Sequence, residues 1–248
     1  MWRYAAARTT GVSHLKTGAP CQDRHAQFID EHGLVIAVAD GAGSAPMSGL
    51  GAELAVEKAV ELLKAHLSDP HADWPSLVVE AARAARMAVH AEAIKAELPP
   101  RDYACTLLLI VLASDGGAAL QIGDGVIAYK DADAWGYVFW PQKGEYANTT
   151  NFLVQENAED RFEVTALKEP LREIAVMTDG LEGLALHYAS QAAHDPFLEA
   201  VMGPLRAEQA SGEAVRVSAA LEAFLRSDRI ASRTDDDLTL VLATRAAA

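Results

Sequence analysis

Cysteine is nearly missing: Cys21 and Cys105 are all the chain has. Two are too few for a disulfide framework, and they lack CxxC spacing, which points to a reduced, cytoplasmic protein. Long apolar runs are missing too. None approaches the 18 residues or more of a membrane span, and the opening "MWRYAAARTT" lacks the apolar stretch of a signal peptide. Positive charge is in short supply, with 35 acids against 21 bases and a formal net charge of −14. Such a surface repels nucleic acid and anionic lipid, so neither is an expected partner, whereas divalent cations are attracted. No internal repeat or low-complexity linker divides the chain.

What is present is a large apolar fraction. Half of the 248 residues are hydrophobic, enough for one large core or two small ones. Residues 2–10 read as a strand. Residues 34–39, a near-continuous apolar run, read as a strand covered on both faces. From Ser48 to Leu67 the period is helical, with Leu50, Leu54, Val60, Leu63 and Leu67 on one face. Asp73 is placed to cap a second helix, with Pro75 in its first turn and Pro99-Pro100 beyond its end near Leu98. Strands are expected at 105–114, 118–130 (broken at Gly123-Asp124-Gly125), 135–140, 161–167 and 172–180. Asp115-Gly116-Gly117 signals a hairpin, and residues 141–160 read as irregular. Helical stretches at 181–189, 194–207 and 212–226 precede a last strand at 237–244. Consecutive strands with hairpin turns argue for antiparallel sheets, and two helix blocks for outer layers. The expected class is α+β, a four-layer α/β/β/α sandwich.

The strand "VIAVADGAGS" (35–44) runs into Asp40-Gly41, and "EIAVMTDGLEGL" (173–184) runs into Asp179-Gly180. A third acidic cluster, Asp235-Asp236-Asp237, opens the last strand. One strand-end Asp-Gly is an ordinary turn. Two of them with an acidic triplet are either separate turns or one site. Gathered carboxylates repel one another unless a cation neutralises them. Oxygen ligands of this kind suit Mg²⁺ or Mn²⁺ rather than zinc.

On these residues the chain resembles the metal-dependent protein phosphatases of the 2C type, in a bacterial subgroup. "CQDRHAQF" (21–28), "VADGAGS" (38–44), "CTLLLIVL" with "LQIGDGVIAYK" (105–130), "VMTDGLEGL" (176–184) and "TDDDLTLVLA" (234–243) are similar to the family's motifs, in order. "GVSHLKTGAPCQD" and "GEYANTTNFL" point to the bacterial subgroup. The resemblance covers nearly the whole chain and implies a single domain over 1–248 with two metal ions between the sheets. It implies that Asp40 bridges both ions, that the Gly41 carbonyl binds the second, and that Asp179 and Asp236 complete the shell. Asp237 stands where the family usually has Asn, so it and Asp235 read as turn or cap residues. Asp102 lies near the family's third-metal position. Asp124 reads as a turn anchor.

Such a site needs no protein nucleophile, because two ions can supply hydroxide at neutral pH and offset phosphoryl charge. That agrees with a chain lacking G-x-S-x-G, a G-x-x-x-x-G-K loop and a cysteine in a phosphatase-like loop. Several positions depart from the family. Gln22, beside Asp23, replaces a Glu and orients water without charge. Gly18 replaces a phosphate-gripping Arg, for which His14 or Lys16 could substitute. Ala42 replaces the His of animal members, and Gly125 a Ser. The implied activity is hydrolysis of phosphoserine and phosphothreonine in proteins, with a cognate Ser/Thr kinase as a further partner. The alternative is a pseudophosphatase that binds a kinase or phosphoprotein without turnover.

Overall fold

The computed structural model describes residues 1–114, 116–131, 134–142, 150–167 and 171–245. The hairpin residue Asp115 and part of the stretch read as irregular lie outside them. The first sheet places β2 (Arg24–Ile29), β3 (Gly33–Ala39), β4 (Leu107–Ala113), β5 (Gly116–Ile122) and β8 (Glu163–Leu167) side by side, all antiparallel. The second contains β1 (Trp2–Thr9), β6 (Val126–Asp131), β7 (Ala134–Tyr137), β9 (Glu173–Met177), β12 (Gly212–Glu213) and β13 (Leu238–Arg245). Its order is β12-β1-β13-β9-β6-β7, antiparallel except for the short parallel pair β1–β12.

Strand alternation sorts the apolar side chains into three layers. Leu34, Ile36 and Val38 of β3 and Leu108, Ile110 and Leu112 of β4 meet Ile127, Ile174, Val176 and Val241 between the sheets. The opposite face of β3 and β4 packs on α2 (Ser48–Lys64) and α3 (Trp74–Lys95). The opposite face of the second sheet packs on α5 (Asp195–Ala207) and α6 (Val215–Leu225). The result is the expected α/β/β/α sandwich.

The inward stripe of α2 differs from the leucine pattern. Leu50 and Leu54 are half-buried, while Ala52, Ala55, Val56, Ala59, Val60 and Leu63 are buried. Residues Ala81, Ala82, Ala85 and Ala93 line α3 in the same way. Small side chains let two long helices lie close to each other and to the sheet. Asp73 occupies the cap position of α3, but its carboxylate accepts from Ser76 Oγ at 2.6 Å rather than from the backbone. The helix expected over 181–189 is shorter. After α4 (Glu182–Ala185) the chain turns into a small hairpin, β10 (Leu186–His187) with β11 (Ala192–Ala193). It is closed by His194 N donating to Ala185 O at 2.7 Å.

The inter-sheet layer carries a direct test. Ile110 is fully buried there, on the central strand of the first sheet. Ile110→Ala should cost about 2–5 kcal/mol in a urea unfolding curve. A loss within experimental error would mean that the sheets are not packed on this side chain.

Candidate active site

Three strand ends meet at one point between the sheets. β3 delivers Asp40, β9 delivers Asp179 one residue beyond Thr178, and β13 begins just after Asp235-Asp236-Asp237. Pairing fixes a fourth acid beside them. Arg24 of β2 lies opposite Ala39 of β3, so Asp23 stands next to Asp40.

Backbone and hydroxyl contacts hold these ends rigid. Asp40 N donates to Thr106 Oγ1 at 2.9 Å, and Thr106 N donates to Asp40 O at 2.8 Å. Gly41 bridges to Cys105, and Ala42 N donates to Ala104 O at 2.9 Å. Across the site, Thr178 Oγ1 donates to Asp23 Oδ2 at 2.8 Å and accepts from Thr239 N at 3.1 Å. One hydroxyl therefore ties β9, β13 and the start of β2 together.

The electrostatics follow from burial and like charge. Asp23 is wholly buried and its carboxyl is pushed up to about 6, first by burial, against hydrogen bonds from Asp40, Thr178 and Thr239 that lower it. Asp40 is raised well above the usual carboxylate range by burial and then by the charges of Asp23 and Asp179; Asp236 adds to this. Asp179 is pushed up to about 8 by burial and then by Asp124, Asp236, Asp23 and Glu182. Asp236 is exposed as a residue, yet desolvation of its carboxyl is the first cause that raises it. The carboxylates of Asp40, Asp179 and Asp236 thus act on one another. Among the described residues, no three His, Cys, Asp or Glu side chains already form a metal cage.

Asp237 has a different task. It is 2 % exposed, and its carboxylate accepts from Gly11 N at 2.7 Å and Gln22 N at 2.6 Å, with His14 Nδ1 at 3.0 Å. It is the clamp that closes residues 11–22 onto β13. Gly11 and Gly180 make that approach possible: a Cβ on Gly11 would lie 2.2 Å from Asp236 C, and one on Gly180 2.2 Å from Asp237 O. A Cβ on Gly41 would meet Gln22 O and Ser48 C at 2.9 Å, so Gly41 is required by packing whatever its carbonyl binds.

His14 and Lys16 lie on α1 (Val12–Thr17), a short helix with no buried residue. His14 is turned onto Asp237 and its pull lowers Asp236, whereas Lys16 is exposed. Gly18 caps α1 with φ 73°, a left-handed conformation that an arginine would adopt only with strain. Asp102 sits in a single turn before β4, where its carbonyl accepts from Met47 N at 2.8 Å. It is not among the charges that chiefly raise Asp40 or Asp179. Two further acids act on Asp179: Asp124, read from the sequence as a turn anchor, and Glu182, which was passed over. Glu182 had a signal, since it follows Asp179 by three residues where a helical turn begins. Asp124 had one in the Gly-Asp-Gly break between two apolar strands.

The family model described as protein phosphatase 2C matches residues 10–226. The chain is 35 % identical over 249 residues to serine/threonine-protein phosphatase 3 of Escherichia coli strain K12, covering 98 % of each. Among solved structures it is similar to the catalytic domain of the phosphatase PstP in complex with two manganese ions. That likeness has a TM-score of 0.66 at 17 % identity and covers 98 % of this chain and 97 % of that one. It is likewise similar to the serine/threonine phosphatase Stp1 of Staphylococcus aureus, with a TM-score of 0.66 at 10 % identity, over 100 % of this chain and 96 % of that one. The family match over residues 10–226 and the 35 % identical relative place the chain in the protein phosphatase 2C family.

Proposed function

We propose that the protein is a Mg²⁺- or Mn²⁺-dependent phosphatase that hydrolyses phosphoserine and phosphothreonine in proteins, and that residues 1–248 form one domain for it. The observation that carries this reading is the mutual charge of Asp40, Asp179 and Asp236 at the meeting of three strand ends. The 35 % identical relative is named a serine/threonine phosphatase, and two neighbours in fold were solved with manganese or magnesium.

The residues fit such ions. Asp179 Oδ1 and Gln22 Oε1 are buried without a hydrogen-bond partner, both oxygens of the kind hard cations take. Asp40, the Gly41 carbonyl, Asp179 and Asp236 would hold them, with Asp23 buried beside Asp40 and bonded to Thr178. When bound, a pair of such ions supplies hydroxide at neutral pH and offsets charge on the phosphoryl oxygens. The chain contributes position and charge. Asp40 is fixed on a strand end by Thr106, Gln22 offers a neutral oxygen to orient water, and His14 stands beside Asp236 on the side open to solvent. Asp102, in the single turn before β4, would hold a further ion. Two features favour the pseudophosphatase reading: Gln22 brings no charge where the resemblance leads one to expect Glu, and Gly18 stands where it leads one to expect a phosphate-gripping Arg. Three retained aspartates outweigh them.

Activity on an aryl phosphate should require added Mn²⁺ or Mg²⁺ and vanish in excess chelator. Full turnover in EDTA after extensive dialysis would sink the reading. A metal-dependent phosphopeptide affinity with no turnover would instead select the pseudophosphatase.

The metal-free protein should show the repulsion directly. Folded Asp179 and Asp23 release protons near 8 and 6, whereas the unfolded chain releases them near 4, the ordinary carboxylate value. Groups raised on folding stabilise the protein at low pH and lose that contribution as pH rises through the folded values. Stability without metal should therefore fall between about pH 4 and pH 8, and added Mn²⁺ should restore more at pH 8 than at pH 5. Asp40→Asn or Asp179→Asn should flatten that fall while lowering turnover by orders of magnitude. Thermal melts across pH check the first statement and steady-state rates the second. Wild-type rates in Asp40→Asn would return Asp40 to a turn role.

A further inference from the structure

An open pocket of about 360 Å³ adjoins the carboxylate cluster and shares Asp236 with it. Its other walls are largely apolar: Val12 and Leu15 of α1, Leu225 at the end of α6, Ala231 of α7 (Asp228–Ala231) and Leu238 of β13. Arg226 lies at its edge, but that charge is occupied. Its Nη2 pairs with Glu222 Oε1 at 2.5 Å, and its Nε donates to Thr9 Oγ1 at 3.2 Å. The pocket walls are therefore mainly apolar, with Arg226 and Asp236 as their charged groups. Leu15 is 66 % exposed, a large apolar side chain left in water at the pocket. The wall it belongs to is not adrift. Ser13 N donates to Asp235 O at 2.9 Å, and Asp237 holds Gly11 and His14. One acidic turn thus fixes both the candidate ligand Asp236 and the pocket beside it.

We propose that this pocket receives a side chain one to three positions from the phosphorylated residue of a protein substrate, and that it selects an aliphatic or aromatic one. The inference rests on the reading of the carboxylates as a phosphoester site. Its occupant is argued from continuity. A phosphorylated side chain brought to Asp236 places its neighbours in the chain alongside, each residue adding roughly 3.3–3.6 Å of reach when extended. Burial of an apolar side chain in such a pocket discriminates by about tenfold or more in kcat/KM. An acidic neighbour would lose its hydration against apolar walls on a chain of net charge −14, and is disfavoured.

The test uses the full chain with Mn²⁺ and a set of phosphothreonine peptides. They differ only by Leu, Phe, Gly or Asp at one flanking position at a time. At one such position the Leu and Phe peptides should exceed the Gly peptide by about tenfold in kcat/KM, with the Asp peptide lowest. That ratio, taken within each variant, should collapse to within about twofold in Ala231→Trp, which fills the pocket. It should do the same in Leu15→Asp, which changes an exposed position. Equal rates for all peptides, or a preference that both variants retain, would overturn the proposal. So would a dimer in light scattering that Leu15→Asp abolishes, since a second copy would then own the surface. If the wild type fails to hydrolyse a generic aryl phosphate, the phosphatase reading fails separately. The peptide preference is then read as affinity by fluorescence anisotropy, with the same two outcomes.

Discussion

Like charge held out of water is the constraint around which this molecule is built. Asp23, Asp40 and Asp179 are all raised, with burial the leading cause in each. Left alone, such a group of carboxyls would move apart or stay protonated. The first escape is closed here, and the raised carboxyls show the second. The strands that carry Asp40 and Asp179 are fixed by fully buried ladders, and the rows of Leu34, Ile36 and Val38 against Ile174 and Val176 keep the sheets facing. The hydrophobic layers therefore hold the acids together, and the acids store the affinity that a divalent cation would release.

Rigidity at the strand ends comes from neutral groups rather than from salt bridges. Thr106 brackets Asp40 from both sides of its peptide, and Thr178 joins Asp23 to the start of β13 through one hydroxyl. A lysine or arginine in those places would neutralise the acids and compete with any cation. The arginines nearby hold the backbone instead: Arg8 Nη1 and Arg24 Nη1 donate to Asp23 O at 2.9 and 2.7 Å, and Arg24 pairs with Glu53 rather than with the clustered acids. A larger ion-pair group joins α5 to the second sheet, where Arg206 bridges Glu173 and Glu199, with Lys130 on the same Glu199. Asp237 is the exception that supports the rule: it is an acid near the site, yet its oxygens are spent on two backbone N–H groups and His14.

What the sequence revealed was whatever burial writes into it plainly. β3, β4 and β9 are continuous apolar runs because both faces are covered, and the acids that end them were visible as interruptions. β2 was not legible. It is an edge strand with every residue half-buried, and it places His25 and Gln27 in contact with each other where alternation should show apolar groups. α1 buries nothing and so has no stripe to read. The inward faces of α2 and α3 were hidden for the opposite reason, because alanine does not mark a side. Asp40, Asp179 and Asp236 could be named from strand-end position and motif. Asp124 and Glu182 could not be ranked from sequence, since their weight on Asp179 depends on which turn the second sheet places beside it.

Gln22 shows how far backbone and side chain can serve different ends at one position. Its N–H is held by Asp237, and its carbonyl and Cβ form the wall that leaves Gly41 no room for a side chain. Those contacts need a residue at this place but not a charge. The side chain is then released from structural duty, and its Oε1 is buried without a partner. A Glu there would add one more anion beside an Asp23 already raised by burial. The amide keeps an oxygen at the site and leaves that repulsion out, so the departure from the family's acid lightens the load on the metal-free fold. The same economy applies at Gly18, where the left-handed turn that ends α1 sets the backbone and the phosphate-gripping side chain is given up. In both places the conformation that brings residues 11–22 against β13 has taken precedence over charge. A substrate would then be recognised by what lies next to the cluster, and the pocket bounded by α1 and Asp236 is one such feature.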